Sequence, residues 1–174
     1  MTDVDFRILK LMEEVEPKSE ISANKFTGSL FAEIIRDSLK KEEFRVSNRN
    51  VFLRGIDSEI DLLIHRQGSK PDFELLYHPE DVQAILELKK EGSFPNTIQQ
   101  VIGLFQKIHI KYPHIKCIYL TLTERLSYKY RVTEELIGFP VYQLFPRSKG
   151  NFSYTKFTEG YGLWNKIIEY LKSE

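Results

Sequence analysis

Between residues 82 and 124 the chain alternates three segments that leave few folds open. VQAILELKK is a strand-like run, and SFPN breaks it, with Pro95 suited to the first turn of a helix. NTIQQVIGLFQKIHIKY then reads as a long helix, and IKCIYLTLTE as a β-branched and aromatic strand near the centre of a sheet. The pattern continues with SYKYRVTEELIG as a helix, FPVYQLFP as a strand and GLWNKIIEYLKSE as an amphipathic helix. Strands alternating with helices argue for an α/β layered domain built on a mixed sheet.

The N-terminal half supplies the rest of the layers. VDFRILKLMEEVE reads as a short amphipathic helix with Phe6, Leu9 and Leu11–Met12 on its apolar face. EPKSEISANK is polar and loop-like, and Thr27 or Ser29 is placed to cap TGSLFAEIIRDSLKK, whose apolar face is Leu30, Phe31, Ile34, Ile35 and Leu39. FRVSNRNVFLRG and SEIDLLIHR read as strands, QGSKPD as a turn and FELLYHPED as a partly extended loop. A chain of 174 residues, 41% hydrophobic and 13% aromatic, is expected to fold as one domain with a sizeable core.

Several classes of protein are set aside at once. The single cysteine, Cys117, allows no internal disulfide and lies in an apolar run, as a buried small hydrophobe. No stretch has the continuous apolarity of a membrane span, and MTDVDFRILK is too charged for a signal peptide, so a reducing cytoplasm is expected. The four histidines lack zinc-site spacing: His109 and His114 read as surface positions, and only His65, which follows the Asp61 strand, is a minor candidate to join the acids below. No phosphate loop or dinucleotide fingerprint is present. Net charge is zero, but residues 1–87 carry 12 basic and 18 acidic side chains and residues 88–174 carry 13 and 7. That division, −6 against +6, allows a basic surface beside an acidic pocket.

One feature of the apolar strands demands a chemical reason. AILELKK carries Glu87 and Lys89 two residues apart, hence on one face, with Ala84, Leu86 and Leu88 on the other. Asp61 opens the apolar run DLLIH, and Asp57, Glu59 and Asp61 share a face if that stretch is extended. Glu33 sits inside the apolar run of the second helix. Charges within buried strands are uncommon unless paired or coordinated. Two carboxylates suit a hard cation such as magnesium, and a nearby lysine can orient an attacking water and stabilise developing charge. The plainer alternative is a surface cross-strand pair, with Asp61 and Glu33 solvated.

Asp61 followed by Glu87-Leu88-Lys89, with Glu33 on an upstream helix, resembles the PD-(D/E)XK nuclease superfamily over roughly residues 27–122. The resemblance implies a restriction-endonuclease-like fold, a central mixed β-sheet flanked by α-helices, filling a single domain over residues 1–174. It implies a metal-dependent nuclease acting on DNA before RNA. Asp61 and Glu87 would ligate Mg²⁺ (Mn²⁺ substituting), with the Leu88 carbonyl and Glu33 assisting, Lys89 would be the catalytic lysine, and Gln99 or Gln100, with Gln99 preferred, the polar group of the following helix. Asp57 or Glu59 can replace or assist one of the acids. The chain departs from the pattern in having Ile60 rather than proline before Asp61, and in the long gap to Glu87, which requires an excursion over residues 66–82. Such enzymes commonly pair as homodimers to cut both strands. With no separate specificity domain evident, the substrate is a DNA structure such as a junction or free end, or a protein partner supplies specificity. The competing expectation is a catalytically inactive module of the same fold, used for nucleic-acid binding or protein assembly.

Two further patches are weighed. Arg125, Lys129 and Arg131, interleaved with Tyr128 and Tyr130, suit a phosphate backbone or an ordinary amphipathic surface, as do Lys90 and Lys107. Trp164, Ile167, Ile168 and Leu171, at helical spacing, form core or an oligomer face.

Overall fold

The structure, a computed structural model, describes residues 3–11, 21–91, 95–123, 133–145 and 163–173. The helices are α1 (Asp3–Lys10), α2 (Ile21–Lys41), α3 (Pro95–Lys111), α4 (Glu134–Ile137) and α5 (Leu163–Lys172). The strands are β1 (Arg45–Val46), β2 (Val51–Leu53), β3 (Glu59–Ile60), β4 (Leu62–His65), β5 (Leu76–Tyr77), β6 (Val82–Glu91), β7 (Lys116–Thr123) and β8 (Val141–Phe145). A five-stranded sheet runs in the order β1-β4-β6-β7-β8. β4 is antiparallel to β1 and β6, whereas β6, β7 and β8 are mutually parallel, so the sheet is mixed. A second, three-stranded sheet runs β3-β2-β5.

The strands of the large sheet are apolar on both faces because helices cover both. Leu62, Ile64, Ala84, Leu86, Leu88, Ile118 and Leu120 face a core shared with α1, α2 and α5. Leu63, Ile85, Cys117 and Tyr119 face a core shared with α3 and the small sheet. The β4–β6 register slips at Ile64/His65, where His65 pairs with Val82 although Ile64 pairs with Ala84. That extra residue sends Val82 to the α3 core and Ala84 to the other. β7 is internal, as its composition predicts, and β6 is the middle strand.

Each helix follows from its stripe and its ends. On α3, Pro95 occupies the first position, Ile98, Val101, Phe105 and Ile108 form the buried stripe, and Pro113 lies just beyond the end. On α2 the stripe is Thr27, Phe31, Ile35 and Leu39, all fully buried. The helix begins at Ile21, so residues 21–25 are helical rather than loop-like, and Thr27 faces the core rather than capping. Val4 and Ile8 of α1 and Leu11 just beyond it are buried, while Phe6 is exposed, a rotation of the expected face. The loop expected over FELLYHPED contains β5 and a 3₁₀ turn at Pro79–Asp81. β5 runs parallel to β2, so the long excursion between Asp61 and Glu87 is part of the small sheet. The expected helix over SYKYRVTEELIG is described only at α4, and residues 124–132, with Arg125, Tyr128, Lys129, Tyr130 and Arg131, lie outside the described residues. Trp164, Ile167 and Ile168 are buried within the chain and belong to its core. Among the described residues no helix is long and apolar enough to cross a membrane.

Candidate active site

Asp61 sits where the chain leaves one sheet for the other. β3 ends at Ile60 and β4 begins at Leu62, so Asp61 is bound into neither ladder. Its peptide carbonyl accepts from Asn50 N at 3.2 Å. β4 pairs with β6 only as far as Leu62 opposite Leu86. Beyond that point this edge of β6 has no β4 backbone opposite it, and the Asp61 side chain takes its place. Leu88 N donates to Asp61 Oδ2 at 2.8 Å. A residue's N–H and C=O point to the same edge of an extended strand, so the Leu88 carbonyl also faces Asp61.

On β6, strand alternation places Glu87 and Lys89 on the α3 face, away from Leu86 and Leu88. Lys89 Nζ donates to Asp61 Oδ2 and to Glu87 Oε2, each at 3.1 Å. The Glu87 side chain is 8% exposed, against 25% for Asp61 and 27% for Lys89, so the cluster has one buried acid and two members that reach solvent. Burial first, and then the Asp61 carboxylate, push the Glu87 carboxyl up to about 7, although Lys89 opposes both. Burial alone would lower the Lys89 ammonium, but Glu87 and Asp61 outweigh it and raise it. Lys89 is therefore a cation at neutral pH and a hydrogen-bond donor rather than a base.

Other expected site residues lie elsewhere. Glu33 is on α2, which packs on the Leu86 and Leu88 face, and it pairs with Arg36 one turn along at 2.8 Å rather than joining the cluster. Gln99 and Gln100 are exposed on α3, on the correct face of the sheet but without a hydrogen bond to the three. Asp57 pairs with Lys107 of α3 at 3.0 Å, and Glu59 is exposed on β3 opposite Phe52. His65 lies at the far end of β4, its ring 5.2 Å from that of Tyr77 and tilted to it by 41°. His109 and His114 are exposed. Cys117 is buried and its thiol is pushed up to about 12 by that burial, which leaves it unreactive.

Two further features emerge from the fold, and only the second had a faint signal in the sequence. The anchoring of Asp61 by the Leu88 N–H follows from where β4 stops, which no spacing reveals. Thr121 and Gln143 are polar residues at alternating positions of apolar strands, and the register sets Thr121 beside Lys89 and Gln143 one strand further along the same row.

Among the described residues no group of three His, Cys, Asp or Glu side chains converges as a metal cage. The donors that do converge are two carboxylates and a backbone carbonyl. That all-oxygen set fits magnesium, which is held by one or two carboxylates and keeps several waters. The site also carries two carboxylates against one ammonium, a balance that a divalent cation improves.

No family model matches the chain, and no curated protein matches it. Solved structures do. NucC of P. aeruginosa ATCC27853 in its cAAA-bound form has a TM-score of 0.62 at 14% identity, over 98% of this chain and 86% of that one. The apo form of NucC of E. coli MS115-1 gives 0.57 at 15% identity, over 98% and 91%. The cAAA-bound form of the E. coli MS115-1 protein gives 0.51 at 16%, over 72% and 60%. The chain shares their fold, the central mixed sheet flanked by helices.

Proposed function

We propose that the chain is a metal-dependent nuclease that hydrolyses phosphodiester bonds in DNA, with its active site at Asp61, Glu87 and Lys89. One observation carries this reading: Lys89 Nζ lies 3.1 Å from a carboxylate oxygen of each acid, one following β3 and the other on β6. A surface cross-strand pair does not account for Glu87, which is a buried carboxylate held beside a second carboxylate. The resemblance of Asp61 and Glu87-Leu88-Lys89 to the PD-(D/E)XK pattern supports the reading, as does the shared fold.

Asp61, Glu87 and the Leu88 carbonyl are the residues to hold Mg²⁺, with Mn²⁺ as a substitute. When bound, the cation supplies Lewis-acid stabilisation of charge on the phosphate oxygens. The chain's own contribution is geometric. The Leu88 N–H fixes the rotamer of Asp61, and burial fixes that of Glu87. The Lys89 ammonium donates a hydrogen bond that orients the attacking water and offsets charge as it develops on the phosphate. Glu33, paired with Arg36 on the other sheet face, has no direct role in this arrangement.

Titration calorimetry with Mn²⁺ and Mg²⁺, beside cleavage of supercoiled, linear, single-stranded and four-way-junction DNA, tests the reading. Asp61→Asn and Glu87→Gln are each expected to weaken metal binding at least about tenfold and to abolish cutting. Undiminished metal affinity in both variants would remove these acids from the site.

A further inference from the structure

The sheet register carries the candidate site beyond the three residues already described. Lys89 on β6 pairs with Thr121 on β7, and Thr121 pairs with Gln143 on β8. Register partners on neighbouring strands share a sheet face. The rows before this one on that face are apolar apart from Glu87: Ile85 and Cys117, then Tyr119 and Val141, all packed in the α3 core. At Lys89 the face changes to a polar row across three strands. Thr121 is 3% exposed, and Gln143 ends the row with its Nε2 buried and without a hydrogen-bond partner. A buried, unpaired amide donor is costly to folding, and an apolar residue on β8 avoids that cost. The row also lies toward the C-terminal ends of β6 and β7, where open α/β sheets bind ligands.

We propose that Gln143 is a substrate-positioning residue whose side-chain amide donor, buried in the free chain, turns outward on DNA binding so that Nε2 donates to a phosphate oxygen of the strand, on a nucleotide neighbouring the one cleaved. The inference rests on the nuclease reading above. A phosphate oxygen is an acceptor and carries no proton to compete, which matches an orphaned donor, and glutamine is among the side chains that bond phosphates. Two strand spacings separate Gln143 from Lys89, about 10 Å. The glutamine therefore holds the strand beside the reacting phosphate and not at it.

The test uses the full chain and a defined DNA oligonucleotide that carries a mapped cleavage site. Gln143→Met keeps the length of the side chain and removes the donor, and Gln143→Glu adds repulsion. For Gln143→Met the expected result is a KM raised about tenfold with kcat changed by less than about twofold. Its Tm without DNA stays level or rises, because an unsatisfied donor has gone, whereas a structural glutamine would lose Tm. Gln143→Glu raises KM further. Methylphosphonate at one phosphate next to the cut raises KM for the wild type and makes no further difference in Gln143→Met. An unchanged KM in both variants, or a Tm that falls together with kcat, overturns the inference. If wild type and Lys89→Ala alike leave every DNA uncut, the nuclease reading fails and takes this inference with it. Cutting by wild type with KM unchanged in the Gln143 variants removes the inference alone.

Discussion

At the scale of single residues, the burial of Glu87 beside Asp61 produces a pH effect of definite sign. Glu87 has a folded-state pKa raised to about 7 from an ordinary 4.5, chiefly by burial. Between those values the folded chain binds more protons than the unfolded one, so this group's contribution to stability falls as pH rises from 4.5 to 7 and is level outside that window. In chelator, Glu87→Gln should lack that decline, and at pH 8 its Tm should exceed that of the wild type. Thermal melts across the pH range check this, and a parallel decline in the variant would contradict it. Spacing made Glu87 and Lys89 legible as a pair in the sequence: two residues apart on a strand means one face. Asp61 was legible as an acid opening an apolar run. Glu33 was misleading, because an acid in an amphipathic helix does not show which side of the sheet the helix will cover. Arg36, three residues on, was the available sign that it is paired locally.

At the scale of elements, the end of α2 shows a cap that no glycine marked. Glu43 has φ of 69°, with Glu43 N donating to Lys40 O at 3.1 Å and Phe44 N to Leu39 O at 3.1 Å. That is the Schellman pattern, with Phe44 packed against the core beside Leu39. Glycine adopts this conformation without the left-handed penalty of about 1–2 kcal/mol, and its extra unfolded-state freedom returns part of that. Glu43→Gly should therefore stabilise the chain by about 0.5–1 kcal/mol in urea unfolding, and a loss of stability would refute the assignment. The start of α2 was misread for a related reason. Thr27 reads as a cap by residue type, yet it continues the stripe of Phe31, Ile35 and Leu39 at intervals of four, and burial outweighed local preference. Of the small sheet, β2 and β3 fall within segments that read as strands, whereas β5, with two residues, is too short for alternation to register, and the pairing of the three was not legible.

At the scale of the whole molecule, the alternation of strands and helices was enough to predict an α/β layered domain on a mixed sheet, and the family resemblance implied the helices that flank it. Pairing order was not, since the sequence order of β4, β6, β7 and β8 does not reveal that β1 closes one edge. The one tryptophan, Trp164 on α5, is 2% exposed in the core shared with α1 and α2. Lys116 of β7 donates to the carbonyl of Tyr170 near the end of that helix at 2.9 Å. Trp164→Ala should cost about 3–5 kcal/mol in chemical denaturation, and a loss below about 1 kcal/mol would show that α5 contributes little to that core. Under the proposed function, these layers hold two carboxylates and one ammonium together for phosphodiester hydrolysis. The most direct test is cleavage of DNA by wild type and Lys89→Ala side by side, with Mg²⁺ and with chelator, after circular dichroism has shown both folded. Cutting by the wild type is expected in Mg²⁺ only, reduced at least about a hundredfold in Lys89→Ala. Metal-dependent cutting that survives undiminished in Lys89→Ala would contradict the proposed function.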